Sequence, residues 1–168
     1  MKRVHVIGGK NHGKTTLIVE LIREFHARGL CVGTIKHTHH QHELDAPGKD
    51  SHRHREAGAS VVGVLSRSMH AVFWPPQEDD LSDRDSRYDS FAPLFGQCDL
   101  VLVEGDTHTT SPKIEVWRES LGTRPLAQTD PTIIAVVSHD NPTSLTVPVW
   151  PRADVAFLAQ QVRAFAVA

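Results

Sequence analysis

Cysteine is nearly absent from this chain of 168 residues: Cys31 and Cys98 are the only two, each inside an apolar run. Two thiols make no disulfide framework. They are expected to be buried and reduced, the usage of a reducing, cytoplasmic compartment. Aromatic residues are sparse, at 6%. Charge of one sign is not in excess either, since 18 Lys and Arg face 20 Asp and Glu for a net charge of -2. That balance removes the simplest electrostatic support for binding nucleic acid. No apolar run approaches the roughly 18 residues of a membrane span. The start, Met1-Lys2-Arg3-Val4-His5-Val6-Ile7-Gly8, has too little apolar sequence for a signal peptide. What is present is 39% hydrophobic. That is enough for a real core, in a length suited to a single domain over residues 1–168.

The chain opens with a recognisable unit. Residues 3–8 alternate apolar side chains up to a glycine, which reads as a buried strand. Leu17, Ile18, Leu21, Ile22 and Phe25 form one stripe of a helix over 14–28, with Gly29 placed to end it. Residues 30–35 read as a second strand. Strand, glycine-rich turn, helix, strand is a βαβ unit, and such units build parallel sheets covered by helices. Further on, 51–57 suits a short helix ended by Gly58. Residues 61–65 and 69–74 suit a hairpin through Ser66-Arg67-Ser68. The run 75–90 holds two prolines and six acidic residues (Glu78, Asp79, Asp80, Asp83, Asp85, Asp89) and reads as a solvated loop or helix start. Asp99-Leu100-Val101-Leu102-Val103-Glu104 is the clearest buried strand. Residues 114–117 and 132–137 are further strands, and Val155, Leu158, Val162 and Phe165 mark a closing amphipathic helix. The fold class is therefore α/β, with a largely parallel sheet, helices on both faces and extra strands.

The turn after the first strand reads Gly8-Gly9-Lys10-Asn11-His12-Gly13-Lys14-Thr15-Thr16, a match to G-x-x-x-x-G-K-[ST] at every required position. Triphosphate oxygens need several inward-pointing backbone N–H donors, which a glycine-rich loop entering a helix supplies. The helix N-terminus adds partial positive charge. Lys14 is then the point charge on the outer phosphates and the Thr15 hydroxyl a Mg²⁺ ligand. A Rossmann dinucleotide site is the weaker alternative, because no G-x-G-x-x-G stands here and the Lys-Thr pair has no role in that fold. Glu104, closing the strongest strand, is placed to bind Mg²⁺ through a water or to orient a water.

Six of the twelve histidines fall within residues 37–54: His37, His39, His40, His42, His52 and His54. Such density suits Zn²⁺ or Ni²⁺, but the adjacent His39 and His40 form no i, i+4 pair and no cysteine ligands accompany them. Asp45 and Asp50 in the same stretch suit Mg²⁺ or a water better, since hard cations prefer oxygen. Arg53, Arg55, Lys113 and Arg118 are candidate anion contacts or plain surface charges. No Asn/Thr-Lys-x-Asp motif is present to read guanine. Ser138-His139-Asp140 is its only substitute, with Asp140 either an acceptor for the guanine N–H donors or a turn residue before Asn141-Pro142.

Four stretches together resemble the MobB family of molybdopterin-guanine dinucleotide biosynthesis adapter proteins, which are P-loop GTP-binding proteins. They are residues 8–16; Gly33-Thr34-Ile35-Lys36-His37-Thr38-His39-His40; Asp45-Ala46-Pro47-Gly48-Lys49-Asp50-Ser51 with Arg55-Glu56-Ala57-Gly58-Ala59; and Leu100-Val101-Leu102-Val103-Glu104-Gly105 followed by Lys113-Ile114-Glu115-Val116-Trp117-Arg118. The resemblance implies a P-loop NTPase fold, a homodimer, GTP with Mg²⁺ and at most a slow GTPase. It also implies an accessory role beside the guanylyltransferase that attaches GMP to molybdopterin, with molybdopterin itself a candidate ligand. By position it makes Gly8, Gly9, Lys10, Asn11, His12, Gly13, Lys14, Thr15 and Thr16 nucleotide-binding, and Thr15, Asp45 and Glu104 metal neighbours. Asp45 and Glu104 are also the expected catalytic carboxylates. Two positions depart from the family pattern. His12 stands where a small residue is expected, so its side chain must point away from phosphate, and Asp106-Thr107-His108 lacks an aromatic-lysine pair. Two other readings stay open: a nickel-delivering metallochaperone GTPase, and a small-molecule kinase on the same scaffold.

Overall fold

A computed structural model of the chain describes residues 1–38, 43–76 and 85–166. Its centre is a six-stranded sheet in the order β2-β5-β1-β6-β7-β8. The strands are β1 (Arg3–Ile7), β2 (Val32–Lys36), β5 (Leu100–Glu104), β6 (Lys113–Val116), β7 (Ile133–Ser138) and β8 (Val149–Pro151). Every neighbouring pair runs parallel. A separate antiparallel hairpin pairs β3 (Val62–Leu65) with β4 (His70–Phe73), as the sequence suggests. Leu65 faces His70 across the turn, where the Ser66 hydroxyl donates to the Met69 carbonyl at 2.6 Å.

Strands buried on both faces read as near-continuous apolar runs, and β5 is the example. Its Leu100 and Leu102 face one core, and Val101 and Val103 face the other. The first core sits under α1 (Lys14–Ala27) and α3 (Val155–Phe165), whose Leu17, Leu21, Phe25, Leu158 and Val162 cover Val4, Val6, Ile114, Ala135 and Val137. α1 ends where expected: Gly29 takes φ +75, and the Leu30 N–H closes back on the Phe25 carbonyl at 3.0 Å. Asp154 caps α3 by accepting from the Phe157 N–H at 2.9 Å.

The other face is covered by 3₁₀ segments, Ser86–Phe95 and Leu126–Gln128, in place of α-helices. Tyr88 of the first is buried against Val101 and Val103. The acidic run read as a solvated loop or helix start ends in a core-covering 3₁₀ element, and Asp85 ties it down by accepting from the Thr109 and Thr110 hydroxyls. Residues 77–84 lie outside the described part. The short helix appears as α2 (Asp50–Glu56). The two cysteines correct the sequence reading. Cys31 is exposed and Cys98 half-buried, because the run holding Cys31 leads into β2, the edge strand of the sheet.

Candidate functional site

Parallel sheets present the C-terminal ends of all their strands on one side, and ligands gather there. The glycine-rich loop leaves β1 on that side and enters α1. Gly8 and Gly13 adopt φ +138 and +99, and Asn11, the one non-glycine of the loop with positive φ, sits at +67. The Gly13 carbonyl opens the helix by accepting from Leu17 N–H at 3.0 Å. A cleft of about 310 Å³ lies over this turn, lined by Asn11, Gly13, Lys14, Thr15, Thr16 and Arg118. The Lys14 ammonium donates to the carbonyls of Gly8 (2.9 Å) and Gly9 (2.8 Å). Partial burial, eased by the Glu104 charge, holds the Lys14 ammonium below its ordinary pKa.

Two residues 89 positions apart meet here: the Thr15 hydroxyl donates to Glu104 Oε1 at 2.7 Å. The sheet register produces this contact. β5 lies beside β1 with Val6 opposite Glu104, so the last residue of β5 ends level with the start of the loop. A hydroxyl and a carboxylate oxygen beside the glycine-rich loop form a donor set suited to a hard cation. Mg²⁺ takes one or two protein oxygens and completes its shell with water and phosphate. The residues therefore fit that ion.

Asp45 is buried, but its hydrogen bonds are local. It accepts from the Ser51 hydroxyl at 2.8 Å, with Arg55 Nε 3.5 Å from its other oxygen. Among the described residues no hydrogen bond or ion pair joins it to Thr15 or Glu104. Asp140 follows β7 on the ligand side of the sheet, and its Oδ2 accepts from the Glu119 N–H at 2.9 Å. Lys10 and Asn11 are exposed at the loop tip.

His12 turns its ring away from the loop interior, as a bulky residue at this position must. Its ring is buried, pointing away from the cleft. Nδ1 accepts from the Arg118 N–H at 3.0 Å, and Nε2 lies 3.2 Å from the Thr123 hydroxyl. Burial, with Lys14 and Arg118 nearby, holds its pKa below the ordinary histidine value. The four candidate anion contacts separate cleanly. Lys113 is buried and spent on Asp130 (2.9 Å) and the Thr107 and Thr109 carbonyls. Arg55 is spent on Glu43 at 2.7 Å, and Arg53 is exposed on α2. Only Arg118 lines the cleft. Of the clustered histidines, His37 contacts Arg87 and His52 lies near Glu43 and Glu56. His39, His40 and His42 fall outside the described residues. Among those described, no group of three or more His, Cys, Asp or Glu is arranged around a metal position.

A parallel α/β sheet with a glycine-rich loop between β1 and α1, and a carboxylate at the end of the adjacent strand, defines a P-loop NTPase-type fold. Comparison with known proteins narrows the class. The family model for molybdopterin guanine dinucleotide synthesis protein B, MobB, matches residues 3–139, and the chain belongs to that family. The chain is 39% identical over 153 residues to the molybdopterin-guanine dinucleotide biosynthesis adapter protein of Escherichia coli, covering 89% of this chain and 85% of that protein. It is 36% identical over 136 residues to the Haemophilus influenzae protein of the same name, covering 80% and 72%. Among solved structures, the MobB homolog from Bacillus stearothermophilus superposes with a TM-score of 0.63 at 26% identity, covering 98% of this chain and 99% of that one. Bacillus subtilis MobB gives 0.66 at 24% identity, covering 96% and 98%.

Proposed function

We propose that this chain is a GTP-binding adapter of molybdopterin guanine dinucleotide biosynthesis, acting in the cytoplasm beside the guanylyltransferase of that pathway. The observation that carries the nucleotide part is the Thr15–Glu104 contact inside the glycine-rich cradle. Gly8, Gly9, Gly13 and the α1 N-terminus supply amides for the phosphates, and Lys14 supplies the charge. Mg²⁺, when bound, draws charge from the outer phosphates; Thr15 and Glu104 are the residues that would hold it. Asp140 stands two residues past the end of β7, where Oδ1 would accept guanine N–H donors while Oδ2 holds the Glu119 N–H.

Hydrolysis on this reading is slow. Glu104, the carboxylate nearest the cradle, is engaged by Thr15, and Asp45, the second expected catalytic carboxylate, is engaged by Ser51. The chain's activity then lies in what its nucleotide-bound form contacts. A second copy is the first such contact. The β3–β4 hairpin stands apart from the main sheet and leaves Leu65 80% and Met69 74% exposed, beside Val61 and Val72. An isolated two-stranded hairpin is marginal in water, and an exposed apolar group of this kind favours pairing with another copy.

Calorimetric titration with GTP and ATP, with and without Mg²⁺, tests the site. We expect saturable, Mg²⁺-enhanced GTP binding that Lys14→Ala abolishes with the fold intact. A preference for ATP, together with no association with a molybdopterin guanylyltransferase in sedimentation, would refute the reading. Leu65→Asp should convert a dimer into a monomer, and an unchanged mass by light scattering would refute the hairpin's part in it.

A further inference from the structure

Arg118 stands in the cleft with no carboxylate to pair with. Among the described residues no hydrogen bond or ion pair engages its guanidinium, and Lys14 lies in the same cleft. Two neighbouring cations repel unless an anion lies between them. The guanidinium also lies close over the loop. A Cβ at Gly13 would come within 2.8 Å of Arg118 Nη2, so the glycine is what admits it.

This position is built. Arg118 follows β6, the strand on the far side of β1 from β5. Its backbone N–H is held by His12 of the glycine-rich loop itself. The segment beyond it is tied at four further points. Trp117 Nε1 donates to the Thr123 carbonyl at 2.9 Å, and the Glu119 N–H donates to Asp140. Glu115, buried on β6, accepts from the N–H groups of Leu126 and Ala127. The arginine therefore extends from a fixed platform, and the loop that cradles phosphate also fixes that platform.

We propose that Arg118 is a ligand-binding residue that grips the diphosphate unit of the bound nucleotide, and that His12 is the positioning residue that holds it there. The proposal rests on the cleft being a nucleotide site. The guanidinium lies over Gly13, and in a loop of this kind the backbone amides cradle the inner phosphates while the lysine reaches the outer ones, so a cation there faces the inner phosphates. A contact to the inner phosphates is made equally by nucleoside di- and triphosphates. It lowers the dissociation constant of both and leaves the rate of the bound triphosphate unchanged.

The test is titration of GDP, GTP and inorganic pyrophosphate into wild type, Arg118→Ala and Arg118→Lys, with hydrolysis measured at saturating GTP. Losing a charge-assisted contact should weaken GDP, GTP and pyrophosphate alike by about tenfold or more in Arg118→Ala. Arg118→Lys should recover part of the loss. His12→Asn, whose amide oxygen still accepts from the Arg118 N–H, should bind GDP more tightly than His12→Ala. Unchanged GDP affinity in Arg118→Ala overturns the proposal, as does a loss confined to the hydrolysis rate. Wild type that binds neither guanine nor adenine nucleotides overturns the nucleotide reading itself and Arg118's role with it. Arg118 is only half-buried, so its variants should melt with wild type.

Discussion

Acid should unfold this protein through His5, two residues before the end of β1. The ring is fully buried, with Nε2 accepting from Arg3 Nε at 3.3 Å and Nδ1 left without a partner. Protonation would turn Nε2 into a second donor facing a guanidinium. Burial is the largest influence and Asp106 partly opposes it. Together they bring the folded-state pKa from 6.5 to about 4. An unfolded histidine takes up its proton near 6.5 while the folded one does not, so stability is complete above that pH and is lost as pH falls toward 4. The drop from 6.5 to about 4 corresponds to about 3 kcal/mol. In a domain of this length that lowers the melting temperature by roughly 6–12 °C. His5→Phe keeps a ring against Tyr88 and removes the titration, and Arg3 retains Ser111 and Asp85. Urea unfolding of both proteins at about pH 7 and about pH 4 measures the effect, and the difference of differences isolates His5 because His12 titrates in both. A variant that loses as much stability as wild type over that interval would refute the assignment.

The remaining predictions concern the cradle and the sheet edge. Gly8→Ala places a methyl against the Val116 carbonyl oxygen, far inside the 3.0 Å that real Cβ contacts respect, at φ +138. Thermal melting should show a loss of several kcal/mol, where Gly29→Ala, at φ +75 with open space around it, costs about 1 kcal/mol. Equal melting temperatures for the two would contradict the close approach of β6 to the loop. Glu104→Gln preserves an acceptor for Thr15 but removes the charge. The gain in GTP affinity on adding Mg²⁺ should shrink about tenfold while the melting temperature holds; an undiminished gain would exclude Glu104 from the metal site. Cys31, exposed, should alkylate in native protein well before Cys98, whose thiol is raised by burial; equal rates measured by mass spectrometry would contradict the exposures.

The cradle was legible in the sequence because its requirements are local. Glycines at fixed offsets, a lysine and a threonine specify the turn without reference to the rest of the chain. The parallel strands were legible because burial on both faces leaves a continuous apolar run, as in 100–104. Elements that depend on partners were not. β8 is only Val149–Pro151, short, preceded by Pro148 and ending on a proline, and it becomes a strand because β7 offers an edge. The 3₁₀ segment Ser86–Phe95 carries Pro93 and a weak apolar pattern, and its one buried side chain, Tyr88, has meaning only against β5. Charged residues were the least legible. Lys113 and Arg118 flank the same strand, yet one is buried in an ion pair and the other faces the cleft. Composition does not distinguish them. His12 did carry a signal: a bulky residue within a tight glycine-rich loop has to put its ring somewhere, and here its Nδ1 accepts from the Arg118 N–H after β6.

The position of Glu104, the carboxylate proposed to hold Mg²⁺, is a consequence of register, and that makes it hard to move. β1 and β5 pair in step from Arg3 opposite Val101 to Val6 opposite Glu104, so the carboxylate appears beside Thr15 only if β5 ends at residue 104. In a strand a shift of one position turns a side chain to the other face. The next position is closed for a second reason. Gly105 takes φ +92, its N–H is held by the Val6 carbonyl at 3.1 Å, and a Cβ there would lie 2.9 Å from the His37 carbonyl oxygen. A carboxylate supplied one residue later therefore meets β2's exit instead of the cradle. The double variant Glu104→Ala/Gly105→Glu should fail to recover the Mg²⁺-dependent part of GTP affinity, and it should melt below Glu104→Ala alone by about 1–3 kcal/mol from the strained backbone. Recovery of the Mg²⁺ response in that variant would mean that the carboxylate acts through space or water from a loosely held turn, and that the in-step pairing of β1 with β5 is not what positions it.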